Sequence, residues 1–133
     1  MRTALLDTVG LLALWEKRDQ WHDDALRSMK ALNLEQARLV TTSSILYECG
    51  NAAARKPYRA DVDQLRTHLL AAGRLIVPSA QDEEDAWREY RQGASGAAGI
   101  VDHVSFMVMR KFAITDAFTN DRHFKAAGFK TLF

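Results

Sequence analysis

Four acidic residues are placed where they could do chemistry together: Asp7 in Leu5-Leu6-Asp7-Thr8, Glu48 in Ile45-Leu46-Tyr47-Glu48, Asp102 in Ile100-Val101-Asp102-His103, and Asp121 in Phe118-Thr119-Asn120-Asp121. Each stands where an apolar run ends or a helix begins, and a carboxylate there is costly unless something compensates it. Each has a local explanation. Asp7 and Asp121 suit helix N-caps, and Asp102 suits the dipole of a first helical turn. Glu48 resists the capping-box account, because the residues three after Ser43 and Ser44 are Leu46 and Tyr47. Taken jointly the four suggest one pocket, in which mutual repulsion would raise some pKa values. A hard divalent cation removes that conflict. Oxygen ligands without His or Cys partners favour Mg²⁺ or Mn²⁺ over zinc.

Other chemistries find less support. His22, His68, His103 and His123 form no His-x-x-x-His pair and read as surface or supporting groups, with a lesser role open to His103 and His123 beside the key acids. No Gly-x-Ser-x-Gly elbow is present for a Ser-His-Asp hydrolase. The Gly93-x-x-Gly96-x-x-Gly99 spacing lacks the preceding strand and the Lys of a nucleotide loop, so it reads as flexible backbone leading to Asp102. Asp82-Glu83-Glu84-Asp85 reads as a solvated first helical turn. Trp15, Trp21 and Trp87 read as core or interface residues. The basic groups Arg55-Lys56-Arg59, Arg110-Lys111 and Arg122-Lys125 are modest, and a few near the acids would suit a phosphate backbone.

The elements that must position these residues alternate regularly. Strands are expected at 3–6, 39–41, 75–77, 117–119 and 130–133. Helices are expected at 8–17, 21–34, from Ser43 or Ser44 to about Lys56, 61–72 closed by Gly73, to about Arg91 following a Ser79-x-x-Asp82 capping box, 102–112, and 121–127 closed by Gly128. Short apolar strands alternating with helices, without period-two patterning or an Asn-Gly hairpin, predict a three-layer α/β/α fold. Its sheet is expected to be central and mainly parallel, with four to five strands. Ligands in such folds sit beyond the carboxyl ends of the strands. Asp7 and Asp121 fall at those ends, with Glu48 and Asp102 expected in first turns of helices facing the same crevice.

Composition sets the frame. The 133 residues suit one domain spanning 1–133. A formal net charge of +1 argues against binding nucleic acid or membrane by bulk charge. The single Cys49 excludes an intrachain disulfide, reads as a small buried hydrophobe, and fits a reducing cytoplasm. Asp7 interrupts the only stretch resembling a signal peptide, and no run is long enough to span a membrane. The chain is expected to be mature, soluble and cytoplasmic.

The segment Val101-Asp102-His103-Val104-Ser105-Phe106, with Phe118-Thr119-Asn120-Asp121-Arg122-His123-Phe124 and Ala127-Gly128-Phe129, resembles the C-terminal signature of PIN domains. It is especially similar to VapC-type toxins of bacterial toxin–antitoxin pairs. Leu6-Asp7-Thr8, Trp21-His22 and Thr42 to Glu48 follow in the family's order, so the resemblance covers essentially the whole chain. It implies that Asp7, Glu48, Asp102 and Asp121 are the metal-centred catalytic quartet, Asp7 and Asp102 being the direct ligands. Thr8 and Asn120 would stand behind them, and Asp116 would be a turn or peripheral residue. Val101 departs from the Ser or Thr that often precedes the third acid. The resemblance further implies a Mg²⁺- or Mn²⁺-dependent endoribonuclease, the toxin of a type II toxin–antitoxin pair. Its partners would be an RNA substrate, a cognate antitoxin and a second copy in a homodimer. The competing reading is a non-catalytic PIN-like scaffold or RNA-binding module. A haloacid-dehalogenase site would need an acid at Val9, and a receiver domain would need adjacent acids near its first strand.

Overall fold

A computed structural model describes residues 2–93 and 95–133. Five strands form one all-parallel sheet in the order β3-β2-β1-β4-β5: β1 (Thr3–Leu6), β2 (Arg38–Thr42), β3 (Leu75–Ile76), β4 (Asp116–Phe118) and β5 (Lys130–Thr131). Every parallel crossover needs a returning connection, and helices supply them. These are α1 (Thr8–Trp15), α2 (His22–Leu34), α3 (Ser43–Ala52), α4 (Arg59–Ala71), α5 (Ala80–Gln92), α6 (Ile100–Lys111) and α7 (Arg122–Ala126). The α/β/α class expected from the alternation is the class observed, and the sheet is wholly parallel.

The strand order carries the functional geometry. From β1 the chain steps outward through β2 to β3, then returns to place β4 on the other side of β1. The direction of winding therefore reverses between β1 and β4, and a crevice opens there at the carboxyl ends. Asp7 follows β1, and Thr119 to Asp121 follow β4.

Burial fixes the frame around that crevice. Leu5, Leu6, Phe106, Phe118 and Phe124 are fully enclosed, and the Phe106 and Phe124 rings meet edge-to-face at 5.0 Å. Each such side chain contributes roughly 1.5–3 kcal/mol by leaving water. Gly10 allows α1 to lie against β4: a Cβ there would fall 2.0 Å from the Phe118 carbonyl oxygen. That close approach seats the start of α1, and with it Asp7, over the end of β4.

Several element ends differ from expectation. Thr42, not Ser43 or Ser44, caps α3, its Oγ1 accepting the Ile45 N–H at 3.1 Å. Thr42 is the last residue of β2, so its extended backbone already has the geometry a cap requires. The helix stops at Ala52 rather than near Lys56, because residues 53–58 form turns ahead of α4. The capping box at Ser79 and Asp82 forms as predicted. Asp116 lies in a strand, not a turn: it opens β4 and accepts a hydrogen bond from Arg2 Nε at 2.7 Å. Within 92–99, turns occupy 95–97, while residue 94 lies outside the described residues. Trp21 and Trp87 are nearly half exposed and do not belong to the core, whereas Trp15 stacks on Tyr58 at 6.3 Å. His103, expected at the surface or beside the site, is buried, with Nδ1 unpartnered among the described residues and Glu89 Oε2 at 3.7 Å.

Candidate metal centre

Asp7 is 2% exposed and is the most enclosed of the four acids. It is the N-cap of α1, with Oδ2 accepting the Val9 N–H at 3.3 Å. Two threonines hold the strand end that carries it. Thr41 Oγ1 donates to the Leu6 carbonyl at 2.7 Å, and Thr119 Oγ1 donates to Asp7 Oδ2 at 2.8 Å. Burial drives the Asp7 pKa up to about 7, and the Asp102 charge adds to the rise, while hydrogen bonds from Thr119 and from the Thr8 and Val9 backbones oppose it. Capping alone would leave Asp7 an ordinary ionised carboxylate, so the cap and the crevice place opposing demands on one side chain.

Thr119 links two acids, because its hydroxyl also accepts the Asp121 N–H at 3.0 Å. Asp121 caps α7, accepting the His123 N–H at 2.9 Å, and its Oδ1 lies 2.9 Å from His123 Nδ1. Asp102 sits in the first turn of α6 and accepts the Gly99 N–H at 3.4 Å. Its pKa is raised, first by burial and then by the Asp121 and Glu48 charges, against the Gly99 hydrogen bond and His123. Glu48 is the sixth residue of α3, one turn deeper than expected, and lies exposed at the rim. Thr8 Oγ1 donates to Glu48 Oε1 at 2.6 Å, tying the rim to the start of α1. Cys49 is buried behind them. Burial, and then the Asp7 and Glu48 charges, push its thiol pKa up to about 12, so it stays protonated and inert.

The four acids lie at the carboxyl end of the sheet, where Asp102 feels the charges of Asp121 and Glu48, and Asp7 feels that of Asp102. They are not equidistant. The tightest group is Asp102, Asp121 and His123, whose donor atoms all lie within 4.8 Å of one another. Asp7 is joined to that group through Thr119, and Glu48 is joined to Asp7's helix through Thr8. Asn120 is half-buried beside them and makes no side-chain hydrogen bond among the described residues.

Thr8 is visible in residue order beside Asp7, whereas Thr119 and Thr41 act only through the folded structure. The visible signal for Thr119 was its place two residues before an N-capping Asp and immediately after an apolar strand. His123, given only a lesser role, is the one basic partner of any of these acids among the described residues. Lys and Arg ion pairs lie elsewhere.

Residues 4–130 match the family model described as the PIN domain. The chain belongs to the PIN domain family. Among solved structures, this PIN chain is similar to VapC20 of Mycobacterium tuberculosis, a toxin that cleaves the sarcin–ricin loop. Identity is 26%, the TM-score is 0.81, and 96% of each chain is covered. It also shares its fold with FitAcB from Neisseria gonorrhoeae, at 16% identity and a TM-score of 0.65, covering 98% of this chain and 96% of that one. No curated protein sequence matches it.

Proposed function

We propose that this PIN domain, acting over the whole chain, is a divalent-metal-dependent endoribonuclease and the toxin of a type II toxin–antitoxin pair. The observation that carries the reading is the cluster itself. Four carboxylates from the β1–α1 junction, α3, α6 and the β4–α7 turn gather at the switch point of a parallel sheet, and no Lys or Arg among the described residues neutralises them. Burial, reinforced by the Asp102 charge, raises the Asp7 carboxyl to about 7, so holding it ionised there needs a compensating cation. A hard cation fits that donor set. The likeness to a toxin described as cleaving the sarcin–ricin loop supports RNA as the substrate.

In this reading Asp7 and Asp102 hold Mg²⁺ or Mn²⁺ directly, while Glu48 and Asp121 orient waters or hold a second ion. A bound ion would lower the pKa of a water and offset charge on the attacked phosphate. Thr119 fixes the rotamer of Asp7, and Thr8 fixes that of Glu48, so both carboxylates meet the substrate already oriented. His123 holds Asp121 in place. Asp7 is itself only 2% exposed, which limits water around it and strengthens its field. Hydrolysis would leave a 5′-phosphate and a 3′-hydroxyl.

A homodimer and a cognate antitoxin belong to the same proposal. Exposed Tyr47, Leu70 and Val77 line one groove with Leu46, Val62 and Leu75, an apolar surface suited to a protein partner. A cytoplasmic location is proposed with it. No helix among the described residues is long and apolar enough to cross a membrane.

The test is cleavage of end-labelled RNA by purified protein with Mg²⁺ or Mn²⁺. We expect fragments carrying 5′-phosphates, and loss of cleavage on adding a chelator. Undiminished cleavage in the chelator would refute metal dependence. Absence of cleavage with either ion, by folded protein freed of any partner, would refute the nuclease reading.

A further inference from the structure

The acids that would bind a cation also repel an RNA backbone, so the nuclease reading demands positive charge close by. The larger groove at Trp15 and Tyr58 mixes Lys17, Arg18 and Lys56 with Glu16 and Asp61, and shares no residue with the acid cluster. A second cavity, of about 430 Å³, adjoins the cluster directly. It is lined by Ser95, Gly96, Ala97, Arg122, His123 and Ala126, and no carboxylate lines it. His123 belongs to both: its Nδ1 meets Asp121 at 2.9 Å, and the residue lines the cavity.

Arg122 is exposed and forms no ion pair among the described residues, even though it directly follows Asp121. Its five guanidinium donors are therefore uncommitted, in a cavity next to the cluster. A planar fork of that kind matches phosphate oxygens bidentately. Ser95 adds a hydroxyl donor with no hydrogen bond of its own among the described residues. Gly96 and Ala97 keep that wall low, and a Cβ at Gly96 would meet nothing within 4 Å.

We propose that Arg122 and Ser95 form a phosphate-binding subsite for the RNA backbone on one side of the scissile bond, with His123 common to it and the acidic centre. The subsite rests on the nuclease reading and specifies how that site holds its substrate. Arg122 is a binding residue here and takes no part in bond breaking. Being adjacent to Asp121 in the chain, it would fix which backbone phosphate is presented to the acids.

Fluorescence anisotropy with a labelled single-stranded RNA tests it, using Asp7→Asn protein in chelator so that the probe is not cut. Adding Arg122→Gln should weaken binding about 5- to 20-fold, as expected for losing a charged hydrogen-bonding partner. The slope of log Kd against log salt should fall by about 0.7, the share of one phosphate on a single strand. Lys125→Gln removes the same charge from the same short helix but outside the cavity, and should change Kd by less than about twofold. Arg122→Lys should recover part of the loss, since it keeps charge without the fork. Trimming the RNA from each end in turn should abolish the Arg122 effect from one end only. Binding equal to that of Lys125→Gln, or an unchanged salt slope, would overturn the subsite while wild-type cleavage still upheld the nuclease reading. Failure of wild-type protein to cleave RNA would refute that reading, and the subsite with it.

Discussion

At the amino end of the sheet, Asp116 opens β4 with Arg2 Nε at 2.7 Å, and Glu35 accepts from the same guanidinium at 2.9 Å. At the carboxyl end of β4, and of β1 beside it, Asp121 and Asp7 have no Arg or Lys partner among the described residues. The residue types are the same and the strands are the same. One end is neutralised by the protein itself. The other gathers charge that the chain leaves unbalanced, and burial makes that costly. Structural acids come paired; the acids proposed to be functional are left for something the chain does not contain.

The largest expected break in this contrast is Asp7→Asn, which should lower RNA cleavage on the order of 10³-fold or more while leaving the fold intact by circular dichroism. The same substitution at the amino end, Asp116→Asn, should leave cleavage within about twofold. Equal losses from the two would erase the distinction between the ends.

Stability should move the opposite way. The Asp7 pKa is about 7 in the folded chain against its ordinary value of 3.8. Folding thus favours the protonated carboxyl, so its contribution is fully present below about pH 4 and is lost as pH rises through about 7. In chelator, wild-type protein should therefore lose stability between pH 4 and 8 relative to Asp7→Asn, by a few kcal/mol at most. Urea melts across that range check this, and parallel curves for the two proteins would contradict it.

Thr119→Val should come next. It keeps the shape but removes the hydroxyl that donates to Asp7 and accepts from Asp121. Loss of a group that orients a ligand typically costs about 10- to 100-fold in metal affinity, measurable by calorimetry with Mn²⁺. The smallest effect belongs to the amino end. Arg2→Ala should destabilise by about 1 kcal/mol or less, because the pair is partly exposed, and should leave metal affinity unchanged.

Much of this contrast is readable from residue order, for identifiable reasons. A parallel sheet needs buried apolar strands separated by helices, so Leu5-Leu6, Leu39-Val40 and Phe118 mark strands, and the acids just beyond them mark strand ends. Asp7 and Asp121 are legible because capping and strand termination are local. Glu48 lies deeper in α3 than residue order suggests because Thr42 serves both as the last strand residue and as the helix cap, which moves the helix start upstream. Thr119 and Thr41 were illegible because their roles run between elements: Thr119 Oγ1 reaches Asp7 across 112 residues of sequence, and Thr41 reaches Leu6 across 35. Gly10 hides its purpose for the same reason, since the Phe118 carbonyl that excludes a side chain there belongs to another strand.

The most direct test is calorimetric titration of Mn²⁺ into wild-type protein and Asp7→Asn, with RNA cleavage followed in the same samples. We predict saturable binding and cleavage by wild-type protein, and loss of both in Asp7→Asn with its fold retained. Cleavage that persists in Asp7→Asn, or in wild-type protein that binds no metal, would contradict the claim that these four acids act as one cation-dependent centre.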